Sequence, residues 1–299
     1  MDIASLNAKY AIPGQVEIVA GRGGLPTINV NNNAAKSEIS IMGGHVLTYQ
    51  PKGEDEMLWL SKKSDFADGL PIRGGIPICW PWFGPHPTDK SQPLHGFVRT
   101  MMWDICSICA PTPERTIVVL VIKDNDHTRA IWNFPFKLEL EVSIGERLEV
   151  TLRTYNPGCT PFHITQGIHT YFGVKDVSAI TIHGFDGVSY FNKVGGANNT
   201  LIQQGPIKVD KEIDAVFLNC AGAAELEDHA GKRHIRIDKE GSNSAVVWNP
   251  WIERSKNLPG YEPTSYQTMV CIETCNALAD GRDVAPGGTH ALKANISRL

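Results

Sequence analysis

Between Lys137 and Arg153 the chain alternates polar and apolar residues almost without error. Lys137-Leu138-Glu139-Leu140-Glu141-Val142-Ser143-Ile144 leads into Gly145-Glu146, after which Leu148, Val150 and Leu152 alternate with Glu149, Thr151 and Arg153. Side chains of a strand point to opposite faces with a period of two, so this stretch is a β-hairpin with one face buried. Further strands are predicted at 14–20, 26–31, 37–41, 45–49, 117–123, 161–171, 177–183, 233–238, 244–248, 267–273 and 289–296. Turn-forming residues separate many of them: Pro13-Gly14, Asn32-Asn33, Asn156-Pro157-Gly158, Gly195-Gly196 and Pro286-Gly287-Gly288. Many short strands joined by such turns predict an all-β chain, a large antiparallel β-sandwich or barrel. Helices are expected to be few and short, at 210–218 and 251–257. No repeat or linker divides the chain, so residues 1–299 read as a single domain.

With 299 residues the chain is long enough to bury a large core. Hydrophobic residues make up 42% and charged residues 20%, the balance of a globular protein rather than a disordered one. The formal net charge is −4, and no basic cluster tracks a nucleic-acid backbone, so no nucleic-acid partner is expected. The N-terminus lacks a basic and apolar leader, and no apolar run approaches the roughly 20 residues that span a bilayer. No membrane association is expected. An odd number of cysteines, seven, without an export signal reads as reduced thiols in a cytoplasmic protein. No exposed apolar stripe is evident, and a monomer is expected.

The segment 71–99 fits no ordinary strand or helix. Pro71-Ile72-Arg73-Gly74-Gly75-Ile76-Pro77-Ile78-Cys79-Trp80-Pro81-Trp82-Phe83-Gly84-Pro85 is followed by Leu94-His95-Gly96-Phe97-Val98-Arg99. Pro and Gly fix an irregular path, and long irregular segments rich in aromatic and ionisable groups are more often binding loops than filler. Arginine beside tryptophan points to a planar, polar, anionic ligand, because sugars stack on indole faces and phosphates accept paired hydrogen bonds from guanidinium.

Three other segments carry chemistry. In His163-Ile164-Thr165-Gln166-Gly167-Ile168-His169-Thr170-Tyr171-Phe172, a continuous strand would place His163, Thr165, Gly167, His169 and Tyr171 on one face. Asp214 stands in Lys211-Glu212-Ile213-Asp214-Ala215-Val216-Phe217. In Met269-Val270-Cys271-Ile272-Glu273-Thr274-Cys275-Asn276 the acid Glu273 shares a face with Cys271 and Cys275, opposite Val270 and Ile272. A carboxylate inside an apolar strand must be paired or functional, and burial would make it a better base near neutral pH.

Six motifs, Arg73–Gly84, His95–Arg99, Gly167–Phe172, Glu212–Phe217, Val246–Trp251 and Met269–Glu273, occur in one order. Together they resemble the hexose-6-phosphate mutarotases (glucose-6-phosphate 1-epimerases) of the galactose mutarotase-like superfamily, over nearly the whole chain. The resemblance implies a β-sandwich isomerase that interconverts the α and β anomers of a hexose 6-phosphate. It makes Glu273 the general base toward the anomeric hydroxyl and His169 the general acid toward the ring oxygen. It sets His95 beside the anomeric centre, Asp214 on sugar hydroxyls, and Arg73 and Arg99 on the phosphate. Trp80 or Trp82 would wall the pocket. No metal, nucleotide or other cofactor is expected, and the partner is a small sugar phosphate. Leu94 departs from the polar residue that relatives often carry, so that one sugar or phosphate contact is either missing or supplied by Gln92, and Lys256 is a further phosphate candidate.

Other readings compete. Unphosphorylated aldoses would serve as substrates if Arg73 and Arg99 met neutral hydroxyls or only braced their loop. A silent carbohydrate-binding protein would not need both His169 and Glu273. A metal-dependent enzyme built on His95, His163 and His169 lacks a carboxylate at ligand spacing, and Cys106-x-x-Cys109 has no second pair to complete a zinc site. His86, His163 and His183 read as structural.

Overall fold

The computed structural model describes residues 2–299. Two antiparallel sheets of eight strands each, with a four-stranded meander and a two-stranded ribbon, make up the molecule. The alternating hairpin lies at the centre of the first large sheet. Lys137–Ile144 pairs with Leu148–Tyr155 in unbroken register, Ile144 facing Leu148 across the turn. Leu138, Leu140, Val142 and Ile144 are fully buried, while Glu139 and Glu141 on the opposite face pair with Arg153.

The second large sheet carries the site. Its order runs Asn199–Ile202, Ser189–Asn192, Ile213–Leu218, Ser244–Asn249, Met269–Asn276, Gln166–Ile168 and Ile78–Cys79, with Tyr171–Gly173 also paired to Met269–Asn276. One face of this sheet, through Ala215, Phe217, Ala245, Val247, Val270 and Ile272, joins the main core. The same core takes in Leu140, Leu148 and Leu292 of the first sheet. The sandwich expected from the alternation is what the chain forms.

Local departures have local causes. Residues 213–218 form a strand, not the expected helix. Flanked on both sides by pairing strands, the segment sends Ala215 and Phe217 into the core and leaves Asp214 and Val216 on the other face. Tertiary pairing outweighs the weak helical preference of the preceding acids and lysine. The expected strand at 161–171 breaks in two: Phe162–Ile164 joins the ribbon with Arg282–Val284, and Gln166–Ile168 joins the large sheet. The first half of the expected 177–183 strand is a 3-10 turn capped by Asp176. Two helices carry no expectation from the sequence. Ile3–Tyr10 is capped by Asp2 and docks through Asn7 onto Ile18, and Asp126–Ile131 is closed by a capping box at Asn125. The short helix expected at 251–257 is present as Trp251–Ser255.

Candidate active site

The exposed face of the second sheet is the floor of a cleft of about 530 Å³. Cross-strand register fixes it in rows. Asp214, Trp248, Cys271 and Tyr171 are successive partners across four strands, and Val216, Val246 and Glu273 form the next row. Glu273 therefore lines the cleft, with the fully buried Cys271 on the same face of the sheet, while Val270 and Ile272 face the core, as the alternation in this strand requires.

His169 stands just past the Gln166–Ile168 strand, its backbone N–H donating to the carbonyl of Pro77. Its ring stacks on Tyr171, centroids 4.7 Å apart and nearly parallel. Glycine at 167 is needed here because a Cβ would lie 2.7 Å from the ring of Phe83, the ring that contacts both His95 and His169. Nδ1 of His169 lies 3.4 Å from Oε2 of Glu273. That distance is within ion-pair reach, but the two atoms are not aligned as a hydrogen bond, and neither has another partner. Two buried polar atoms without a hydrogen-bond partner, this close together at the floor of the cleft, mark the pair as one that packing alone does not explain. Glu273 is 2% exposed. Burial holds its carboxyl well above the usual range, and Asp214 adds to the effect while Lys193 opposes it. Burial, then the charge of Arg99, pulls His169 down to about 3.

His95 completes the group, 5.5 Å from His169 between ring centroids. Its backbone is left-handed, φ 65°, a conformation costly for a side-chain-bearing residue and commonest at functional sites. A reciprocal pair of bonds holds it: the His95 N–H donates to the carbonyl of Gly84 at 2.7 Å, and the Gly84 N–H donates to Nδ1 of His95 at 3.2 Å. Because Nδ1 accepts, Nε2 carries the proton. Burial and the nearby cations Arg99, Lys193 and Arg73 keep the ring neutral, so His95 offers a neutral N–H donor.

Arg73 and Arg99 line the same cleft, and neither pairs with a carboxylate among the described residues. Arg99 is only 8% exposed, and among the described residues its side chain makes one hydrogen bond, from Nη2 to the carbonyl of Leu94 at 2.7 Å. Arg73 is carried on a loop braced by His45, whose Nε2 donates to the carbonyl of Gly74. Gly260, at φ 78°, leaves space for the Arg73 stem. Asp214 reaches the cleft but is not free. Arg254 binds Asp214 and Glu212 at 3.0 Å each while lying over the Trp248 ring.

Some expectations fail. Trp80 and Trp82 are core residues: Trp80 donates to Thr154 and Trp82 to the carbonyl of Pro93. The wall tryptophan is Trp248, with Tyr171, Tyr261 and Phe83. Gln92 turns to Asp89, and Lys256 pairs with Glu253, both outside the cleft lining. Leu94 lines the cleft itself. His163 pairs with Asp283 on the ribbon, so His95, His163 and His169 are not brought together as a metal triad. Cys106 and Cys109 are exposed on the Asp104–Thr112 strand, which bulges between Ile105 and Ser107. Lys193 and Arg254 are site residues that carried no expectation. Lys193 follows a strand end beside the predicted Gly195-Gly196 turn, and Arg254 belongs to the helix after the Trp248–Trp251 motif, so only folding brings them in.

The family model for aldose 1-epimerase matches residues 26–297. The chain belongs to the aldose 1-epimerase family. This epimerase is 30% identical over 253 residues to a candidate glucose-6-phosphate 1-epimerase of Escherichia coli (strain K12), covering 85% of this chain and 84% of that one. It is 32% identical to another from Cenchrus ciliaris, covering 79% and 74%. A crystal structure of a candidate mutarotase from Salmonella typhimurium superposes with a TM-score of 0.90 at 25% identity, covering 99% of each chain. The enzyme is an isomerase that interconverts sugar anomers. No helix among its described residues is long and apolar enough to cross a membrane.

Proposed function

We propose that this epimerase acts on a hexose 6-phosphate, with Glu273 and His169 as the acid–base pair and Arg73 and Arg99 as the phosphate clamp. Glu273, as carboxylate, takes the proton of the anomeric hydroxyl while His169, as imidazolium, protonates the ring oxygen. The bond from C1 to the ring oxygen breaks and the C1 carbonyl forms. After rotation about C1–C2, the freed hydroxyl returns its proton to His169 as it attacks the other face. The oxygen on C1 then recovers the proton held by Glu273. Each group contributes roughly 10²–10⁴-fold.

The pair carries one proton throughout. Neutral His169 with protonated Glu273, the state that burial favours in the empty cleft, has the same proton count as the ring-open stage. The reactive carboxylate–imidazolium form has that same proton count, so it is reached by moving one proton from Glu273 to His169 as the sugar binds, with no exchange with solvent. Neutral His95 donates its Nε2–H to a sugar oxygen, and Asp214, held by Arg254, accepts from ring hydroxyls.

The observation that carries the phosphate reading is Arg99. An arginine only 8% exposed, whose side chain has one carbonyl acceptor and no carboxylate among the described residues, is costly unless the ligand brings an anion. The test is C1 anomer exchange by NMR saturation transfer, with glucose 6-phosphate and glucose run in parallel. Acceleration confined largely to the phosphosugar is expected. Arg99→Ala should raise KM for glucose 6-phosphate at least about tenfold, one charged hydrogen bond being worth about 1.5–3 kcal/mol, with little change for glucose. Equal effects on both sugars would overturn the phosphate assignment.

A further inference from the structure

We propose that His169, Cys271 and Glu273 form an inhibitory binding site for a thiophilic divalent cation such as Zn²⁺, distinct in chemistry from the sugar they serve. One donor atom from each of the three lies within 4.8 Å of those of the other two, and all three residues are buried. The separation of 3.4 Å between Nδ1 of His169 and Oε2 of Glu273 is close to the edge of a tetrahedron with metal–ligand bonds of about 2.0–2.1 Å. Neither atom has a hydrogen-bond partner that a metal would have to displace. The Cys271 sulfur lies within 4.8 Å of both, and Zn–S bonds of about 2.3 Å require it to approach to roughly 3.5 Å.

The rows of the sheet explain why the set exists. Cys271 and Glu273 are two apart on one strand and share its cleft face, and His169 stands beside them at the end of a neighbouring strand. Nitrogen, sulfur and oxygen on neighbouring strands supply three protein ligands, and of the three residues His169 and Glu273 line the cleft from which a fourth ligand would come. On binding, the Cys271 thiol and the Glu273 carboxyl each release a proton to solvent and neutral His169 gives a lone pair. The loaded group of Zn²⁺, thiolate, carboxylate and imidazole has zero net charge. It therefore adds no new charge to a cleft that already holds Arg73, Arg99 and Lys193 against Asp214. A cation held between His169 and Glu273 at the floor of the cleft would sit where the proposed reaction needs the oxygens on C1, so metal and sugar phosphate compete.

The experiment uses Cd²⁺ as probe with the full chain in which the exposed Cys106, Cys109 and Cys159 are changed to serine. One equivalent of Cd²⁺ should produce the ultraviolet charge-transfer band of a cadmium–thiolate bond, and saturating glucose 6-phosphate should suppress it. Cys271→Ser should remove the band. His169→Ala, read by the band alone, should weaken binding about tenfold or more, the usual effect of losing a metal-site partner. In the anomerisation assay Zn²⁺ should inhibit competitively, be reversed by chelator, and lose about tenfold or more in potency with Cys271→Ser. A band that survives Cys271→Ser, or equal Zn²⁺ inhibition with and without Cys271, would overturn the proposal. The absorption readout needs no turnover, so it can fail or succeed independently of the proposed reaction.

Discussion

At the residue scale the proposed mechanism depends on a single proton shared by two buried groups. Glu273→Gln keeps the shape of the side chain and removes the proposed base, and His169→Ala removes the proposed acid. Each should lower kcat by about 10²-fold or more while a sugar phosphate still binds, checked by NMR exchange for turnover and calorimetry for binding. Rates near wild type in either variant would remove that residue from the mechanism. Their pH dependence follows from the signs of the shifts. His169 lies far below, and Glu273 well above, its ordinary value, so the one-proton state spans the physiological range as a property of the pair. With kcat/KM corrected for phosphate dianion, whose second pKa is about 6, the profile should stay flat through pH 6.5 and toward pH 5. A limb at the ordinary histidine value would place a titrating imidazolium in the free enzyme. Much of this site was legible beforehand. Glu273 stood out as an acid among Val270, Ile272 and Cys271, and His169 and His95 lay in motifs that the family resemblance covers. Lys193, Arg254 and the true wall, Trp248, were not, because their contact with the cleft depends on which strands become neighbours.

At the element scale the difference between what could and could not be foreseen is one of sequence range. The 137–153 hairpin satisfies its pattern within itself, so alternation alone identifies it. Residues 213–218 become a strand only because 189–192 and 244–249 flank them, and Asp214 therefore faces the cleft rather than capping a helix. The 161–171 segment reads as one strand locally, yet Phe162–Ile164 and Gln166–Ile168 serve different sheets, and that break separates His163 from His169. The path of the 71–99 loop rests on close backbone approaches. Gly96, φ 73°, brings its Cα against Trp80, so close that a Cβ would fall 1.7 Å from the Trp80 carbonyl oxygen. Its neighbour His95 is itself left-handed. Gly96→Ala must move either the buried Trp80 backbone or His95, and should destabilise the protein by more than about 2 kcal/mol through strain alone, read from the urea midpoint. Activity should fall further than the folded fraction if the displaced residue is His95, which lines the cleft and is proposed to donate to the sugar. An unchanged midpoint would mean that the loop bends freely, contrary to its bonds from Gly84 and Trp80.

At the scale of the whole molecule, one apolar core joins all three main sheets. Ile18, Ile28 and Ile39 of the meander, Leu140 and Leu292 of one large sheet, and Val247 and Ile272 of the other belong to a single cluster. None of these sheets can lose its partners without exposing that cluster, so the chain should unfold as one unit. Far-ultraviolet circular dichroism and tryptophan fluorescence test this from two positions, because Trp80 and Trp103 report the core while Trp59 and Trp248 report the cleft side. Coincident urea transitions are expected, and two separated transitions would divide the chain into domains. The same measurement reads the ligand. A sugar phosphate bound only to the folded chain at a hundred times its dissociation constant adds about 2.7 kcal/mol, moving both probes together. Glucose at the same concentration should move them much less, because it brings no anion to Arg99, and the Arg99→Ala protein should respond to the two sugars alike. A shift in the fluorescence transition alone would mean that the cleft can open while the core stays folded. The rows of Asp214, Trp248, Cys271 and Glu273 argue against that outcome, since the strands that carry them turn their other faces, through Ala215, Val247 and Ile272, into the shared core.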